Sequence, residues 1–593
     1  MSIYESQIDV ISKFIDGCKN NICYVSLPKN LSDKLVGHVG SDFVVIDLLR
    51  DFSPFKPFLS ILREKHPDEA LITEKSYSVQ TETFLSFFRT GCAAERFDIP
   101  IENEFIYETN RFVQTICALL QELNETNFLI LNSQLLPQNS LAIIKELEKR
   151  SLKGRFVFCF DTDQPSESTN ITSEFFESNS SKRNFLYLKE KFSATNDSVL
   201  PEISQESVKR KLLSDYDSLF INLRNNRLFM SHEQLKQIID WADTAVHKMD
   251  IGQKELRALY LEIALAYYAC LQYDKAILFL NDILDFHEKD EIDIAALYYL
   301  VAIFNYKKNS EYAKRYANHL QARLKTNNDS PYAALYEMTE FQFCSSADLE
   351  GNTEKYKHIL KILEARGFIN NYISTGLSIP WSLINTAENR EFVDGTIDKC
   401  YKLAKEIDNQ HLVSKACHWK GIIHSHYGEG EEAMKWYFEC NQIRTEIGEI
   451  VPIMNIRNGL CYESTLRSKY ENAYNLVNDV IKNLYSMSDY STVIDTLKNI
   501  SYALFYSRHF AQANSIFTRI LRYLHLFNLD ERPSNSFLPS VNDMLIFKSI
   551  VAINENDYIH ARINYSRILH DNKDITSEDY PLLHFVKAAL FLD

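Results

Sequence analysis

Glycine is scarce in this chain, 15 residues of 593, which leaves little material for tight-turned sheets or phosphate-cradling loops and suits helices packed on helices. No two of the 11 cysteines stand in a CxxC pair. That spacing excludes a zinc ribbon and a disulfide framework, so the thiols read as buried fillers in a reducing compartment. No apolar run approaches the roughly 18 residues of a membrane span. The opening MSIYESQIDVISKFIDGC carries acids through its apolar pattern, where a signal peptide needs a basic start. Basic charge is also short, with 64 Lys and Arg against 80 Asp and Glu and a formal net charge of -16, which repels phosphate backbones where no basic patch is segregated. These absences predict a cytoplasmic protein without membrane or direct nucleic acid among its partners.

What is present divides into two regimes. Residues 1–195 alternate short apolar runs with amphipathic stretches, the signature of an α/β domain. Asn21 to Leu27, Asp42 to Leu48, Asn127 to Leu131 and Arg155 to Phe160 are predicted to be buried parallel strands. Helical patterns cover Ile8 to Cys18, Phe105 to Leu123 and Ser140 to Arg150. From Asp161 to Ser198 the composition turns to Ser, Asn, Thr and Glu, which predicts a long loop. Residues 196–250 then read as a helical linker, and 251–593 as an all-α repeat array.

Internal periodicity is the strongest signal. A small residue in one helix, a second twelve positions later and large apolar residues four and seven beyond that recur along the chain. Two antiparallel helices approach closely only where side chains are small, while the larger ones fill the gap to the next hairpin. Ala264 and Ala276 with Leu280 and Ile283, and Gly421 and Ala433 with Tyr437 and Cys440, follow this pattern. So do Cys461 and Ala473 with Val477 and Val480, Ser501 and Ala513 with Phe517 and Ile520, and Ser549 and Ala561 with Tyr565 and Ile568. A poorer unit surrounds Tyr312 to Ala317. Ala433, Ala473 and Ala513 stand forty apart. The pattern is that of tetratricopeptide-like repeats. Ser330 to Lys399 fits it badly, and Pro380 is expected to break or kink that stretch.

In the first helix of each hairpin, residues not consumed by packing would line an inner face. Counted from the small positions, these are Lys415, His418 and His426, then Asn455, Asn458 and Tyr462, then Asp495, Lys498, Tyr502 and Tyr506. Amides, lysines and tyrosines on one face suit a peptide or protein partner, because they satisfy backbone groups while the rings supply apolar area.

The strand before YVSLPKNLSDK at Tyr24 to Lys34, followed by the repeat array, resembles the MalT-type signal-transduction ATPases with numerous domains (STAND). In that family an AAA-like P-loop domain, typically reading VSGPPGSGKT, precedes repeats of this length. The resemblance implies a multidomain chain: an N-terminal α/β P-loop-NTPase-like domain followed by an all-α tetratricopeptide-like superhelix. Leu27, Asn30 and Ser32 occupy its glycine positions and Asp33 its phosphate-binding lysine. Glycines let backbone N–H groups approach phosphates and the lysine neutralises them, so an aspartate there repels the ligand. Asn132 and Ser133 stand where the family's Walker B strand places a magnesium-binding acid.

The nucleotide domain is therefore expected to be degenerate, a pseudo-ATPase with no cofactor and no catalytic residues. Members of the family usually end in a DNA-binding module, and no such module is seen in this sequence. The function implied is a non-catalytic regulatory or scaffold protein that binds a peptide, protein or effector, the alternative being an accessory subunit that presents a substrate or stabilises a partner enzyme. Two other groupings are weaker. The cluster of His411, Cys417, His418, His424 and His426 does not converge at ligand spacing on a helix, and no metal is expected there. Asp161 and Asp163 follow a strand without a partner His or Ser motif and read as loop residues.

Overall fold

The computed structural model describes residues 3–18, 21–27, 34–38, 42–100, 104–123, 126–161, 185–187 and 213–591, with breaks at 308, 328, 344–348, 380, 385–386, 449, 474, 477–489, 527–538 and 572–580. The chain divides into two compact units, Met1–Thr375 with Glu406–Asp408, and Gly376–Lys405 with Asn409–Asp593.

The first unit begins with α1 (Ile3–Gly17), β1 (Ile22–Leu27) and β2 (Phe43–Asp47). There follow α2 (Phe58–Lys65), α3 (Glu69–Lys75), α4 (Thr81–Thr90), α5 (Phe105–Gln121), β3 (Asn127–Leu131), α6 (Gln138–Leu147), β4 (Phe156–Asp161) and β5 (Phe185–Tyr187). Among the described residues the sheet has five strands in the order β2-β3-β4-β1-β5, and every pairing is parallel. Ile22 lies opposite Phe156 and Tyr24 opposite Phe185.

Alternation along the strands divides them between two cores. Ile22, Tyr24, Phe128, Ile130, Phe156 and Phe158 face the helices of one side, while Cys23, Val25, Leu27, Leu129, Val157 and Cys159 pack with Ile11 and Ile15 of α1 on the other. The four expected strands therefore lie within a residue of their predicted ends. The fifth falls inside the stretch read as a loop. Its three residues are too few to stand out from polar neighbours, and pairing with β1 at Tyr24–Ser26 holds them.

The stretch expected to be a helical linker carries a packed hairpin, α7 (Tyr216–Leu228) and α8 (His232–Val246). Its tip, Leu228-Phe229-Met230, is part of the core that lies under the sheet. The Phe229 ring sits 5.4, 5.3 and 5.1 Å from those of Phe84, Phe87 and Phe112. Asn225 donates to the Gly91 carbonyl at 2.8 Å and accepts from the Ala93 N–H at 2.7 Å. Arg227 pairs with Glu95 at 2.8 Å and with Glu262 at 2.9 Å. An apolar plug ringed by satisfied polar groups makes this hairpin part of the domain it follows.

Helices continue as α9 (Gln253–Ala269), α10 (Tyr273–Leu284), α11 (Glu291–Tyr306), α12 (Ser310–Leu324), α13 (Pro331–Phe343), α14 (Leu349–Arg366) and α15 (Ile369–Gly376). The poorer repeat around Tyr312 uses Ala313 as its buried small residue, while Tyr316 stacks on Phe304. The second unit holds α16 (Trp381–Ile384), α17 (Arg390–Glu406), whose last residue belongs to the first unit, α18 (Gln410–His426), α19 (Gly430–Ile447) and α20 (Ile450–Leu466). After these come α21 (Tyr490–Tyr506), α22 (Phe510–Leu526), α23 (Val541–Asn554), α24 (Tyr558–Asp571) and α25 (Pro581–Phe591). Pro380, Val477 and Val480 lie outside the described residues.

The small positions are buried throughout: Ala264, Ala276, Ala433, Cys461, Ala473, Ser501, Ala513, Ser549 and Ala561. A second device repeats with them. Five of the described hairpins turn through one residue of positive φ, and the next N–H bonds back five residues, a Schellman-type closure that satisfies a terminal carbonyl. Gly428 (φ 75°), Ser468 (58°) and Arg508 (67°) hold this position forty residues apart, and Leu271 (60°) and Asn556 (60°) hold it elsewhere. The bonds run from Gln272 to Tyr267, Glu429 to His424, Lys469 to Ser464, His509 to Leu504 and Asp557 to Ala552, at 2.7 to 2.9 Å. Asp215, Asp290, Asn409 and Ser540 then cap the first helices of hairpins from the other end.

Candidate protein-interaction face

The carboxyl ends of parallel strands are the usual place for a ligand, at the point where the strand order reverses. Here β1 lies between β4 and β5 while the chain runs from it to the far edge at β2, so the reversal falls at the end of β1. Leu27, the last residue of β1, is buried in the core beside α1. Asn30, Ser32 and Asp33 lie outside the described residues. Asn132, after β3, is held at φ 56° and donates from its amide to Asp47 at 2.7 Å. Ser133 is buried and its hydroxyl donates to the Ile130 carbonyl at 2.9 Å. Both residues that follow β3 are thus tied into local hydrogen bonds. Asp163 lies outside the described residues.

The repeats bring their first helices side by side, and polar links between neighbours fall about one repeat apart. In the first unit Arg224 and Arg227 of α7 reach Glu262 of α9 at 2.6 and 2.9 Å, and Arg257 of α9 reaches Asp290 and Asp293 at 2.7 and 2.8 Å. In the second unit the Ser425 hydroxyl of α18 donates to Glu463 of α20. The Asn458 amide of α20 donates to Asp495 and to the Thr496 hydroxyl of α21, both at 3.0 Å. Tyr502 of α21 packs on Phe547 of α23 with ring centroids 4.8 Å apart.

Six of the ten residues expected on the inner face meet at α20 and α21. Asn458 is 3% exposed, and helix phase turns it toward the next first helix, so its amide joins neighbours there. Lys498 donates to Asp495 at 2.5 Å. Tyr462 and Tyr506 stand 46% and 49% exposed. Burial, then the charges of Glu463 and Tyr506, raise the Tyr462 hydroxyl above its usual value. Burial raises Tyr502 too, followed by Asp543, Tyr506, Asp495 and Tyr462. Leu466, four residues beyond Tyr462, is also exposed. A count restricted to polar and aromatic residues passes over it, although the i, i+4 rule puts it beside the tyrosine.

Of the other four, three belong to α18 and the fourth, Asn455, to α20. The His418 ring is half-buried against Tyr437, centroids 6.0 Å apart. Burial and then Arg444 push its pKa down to about 3, so it is neutral and packed in its hairpin. Lys415 is half-buried and acts electrostatically on Cys400. His426 is exposed and its ring meets Tyr427 at 5.3 Å. The side chain of Asn455 lies outside the description. His424 contacts Glu429 at 2.7 Å and Cys417 is buried. Among the described residues no group of three or more His, Cys, Asp or Glu is placed to hold a metal ion, and no helix is long and apolar enough to cross a membrane.

No protein-family model matches the chain and no curated protein matches it. Solved structures with some likeness include a signal transduction ATPase with numerous domains carrying a tetratricopeptide repeat sensor, from Pyrococcus horikoshii. It is 12% identical, the match covers 99% of this chain and 92% of that one, and the TM-score is 0.39. A Rap protein complexed with competence and sporulation factor is 13% identical over 63% of this chain and 98% of that one, with a TM-score of 0.37. BtubC from P. vanneervenii is 12% identical over 40% and 86%, with a TM-score of 0.28. None of these scores is high enough to establish a common fold.

Proposed function

We propose that this protein is a non-catalytic regulator or scaffold that holds a peptide or protein segment on the first-helix face of its second unit, at α20 and α21. The observation that carries this reading is Tyr462, Leu466 and Tyr506 standing exposed on neighbouring first helices, beside the bonded set of Asn458, Asp495 and Lys498. Exposed rings and an aliphatic chain, bordered by groups already fixed in place, supply contact area at little ordering cost. The sheet domain is proposed to be a pseudo-ATPase, as in a MalT-type regulator that has lost its nucleotide. Asn132 bonded to Asp47 supports that part of the reading, since an amide supplies no charge for a metal.

A photo-crosslinking residue at position 506 of the full chain tests the partner face, with position 431, exposed at the start of α19, as control. Capture of one protein from 506 and not from 431 is the expected result. Equal capture from both positions removes the proposal.

A further inference from the structure

The end of α1 and the start of β1 bring two thiols together. Cys23 is fully buried in the core that β1 shares with α1, and Cys18, half-buried, packs against that core. Their side chains are hydrogen-bonded to each other, and neither is in a disulfide. A third group is fixed at the same place. The Ile15 carbonyl accepts from the Cys18 N–H at 3.4 Å and from the Arg155 guanidinium at 2.5 Å, so one oxygen holds a cysteine backbone and a positive charge together. Burial, then the bond to Cys18, raise the Cys23 thiol, against the lowering effect of Arg155. Cys23 therefore keeps its proton out of reach of solvent, while Cys18 is the member of the pair with exposed surface.

We infer that Cys18 and Cys23 form a redox modification site, at which hydrogen peroxide converts the two adjacent thiols into an intramolecular disulfide. The Cys18 sulfur attacks the peroxide; its S–O bond forms as the O–O bond breaks, and the departing oxygen leaves as water with the thiol proton. The Cys23 sulfur then attacks the sulfenic acid. The S–S bond forms, the S–O bond breaks, and the oxygen leaves as a second water with the Cys23 proton. Two electrons pass from the thiol pair to the peroxide, and a small dithiol returns them. A cation beside the pair favours attack by sulfur, and a resolving thiol already in contact captures the sulfenic acid before further oxidation. The bond ties the end of α1 to the strand that runs to the point where the strand order reverses.

The test treats the folded full chain with hydrogen peroxide, blocks the remaining thiols with N-ethylmaleimide in urea, and maps the cysteines by mass spectrometry after trypsin. Cleavage at Lys19 separates the two cysteines, so the expected product is a pair of joined peptides that come apart in dithiothreitol. Cys92 and Cys270, also half-buried, should still take the maleimide when Cys18 has lost it. Cys23→Ser should leave Cys18 as a sulfenic acid that dimedone captures, and Cys18→Ser should leave Cys23 reduced. Loss of maleimide labelling at Cys18 no faster than at Cys92 and Cys270, or Cys18 joined to any other cysteine, would overturn the inference. So would a sulfenic acid that persists at Cys18 in the parent chain, because a thiol in contact would have resolved it.

Discussion

Tyr437 is wedged between two first helices at the positions where each has a glycine. A Cβ built on Gly421 would lie 2.4 Å from its ring, and one on Gly459 would lie 2.9 Å from it. The ring is almost fully buried and so cannot swing aside. This is the repeat logic in atomic form: a missing side chain on one helix makes room for a large one from the next.

Gly421→Ala should therefore destabilise the second unit. The gain in helix propensity is at most about 1 kcal/mol, whereas overpacking a closed site costs about 1–3 kcal/mol. Urea unfolding should show a lower midpoint, and Tyr437→Leu in the same chain should recover part of the loss. A midpoint raised by Gly421→Ala alone would mean that the wedge is slack.

The hairpin turns give an opposite expectation. Leu271 and Arg508 hold left-handed backbone conformations, at φ 60° and 67°, that cost an L-residue roughly 1–2 kcal/mol. Glycine removes the cost but loses more entropy on folding. Leu271→Gly and Arg508→Gly should each stabilise by about 0.5–1 kcal/mol, read as a rise in thermal midpoint. The same change at exposed helical positions should do the reverse.

The plug at Phe229 predicts a loss shared between two elements. Phe229→Ala removes a fully buried ring and should cost about 3–5 kcal/mol. Hydrogen exchange should quicken in α7 and α8 and also in α4, which supplies Phe84 and Phe87. Quickening confined to α7 and α8 would leave the hairpin an appendage.

Two buried groups titrate with opposite sign. Burial raises Asp98 to about 6, against the lowering effect of the Asn371 and Asn370 N–H groups it accepts, both at 2.9 Å. The folded chain binds this proton more tightly than the unfolded one, so its stabilising effect is present at low pH and is lost as pH rises from about 4 to about 6. His418, depressed to about 3, does the reverse: stability from it falls as pH drops from about 6.5 toward 3. Thermal midpoints across this range should show Asp98→Asn losing most, relative to the parent, at the acid end. His418→Gln should gain there, and parallel curves for the parent and either variant would refute that assignment.

Much of this architecture was legible because it rests on periodicity. Strand runs such as Asn127–Leu131 and small positions such as Ala433 and Ala513 mark themselves by spacing. What escaped has local causes. Residues 196–250 read as a linker because nothing in their pattern says that Phe229 enters another domain's core. Four of the five turn positions named above are not glycine, so the usual stop signal was missing. Counting from Cys461 fixes helix phase only coarsely, so the sequence alone puts Asn458 on the open face. One step of helix rotation separates an exposed residue from one bonded to the next helix.

Hydroxyl-radical footprinting of the full chain, in buffer and in clarified lysate of its source cells, tests the partner face most directly. Protection of Tyr462, Leu466 and Tyr506 in lysate, with Phe438 and Ile559, which are also exposed, labelled as before, is the predicted result. Equal labelling of all five residues in both conditions would contradict it.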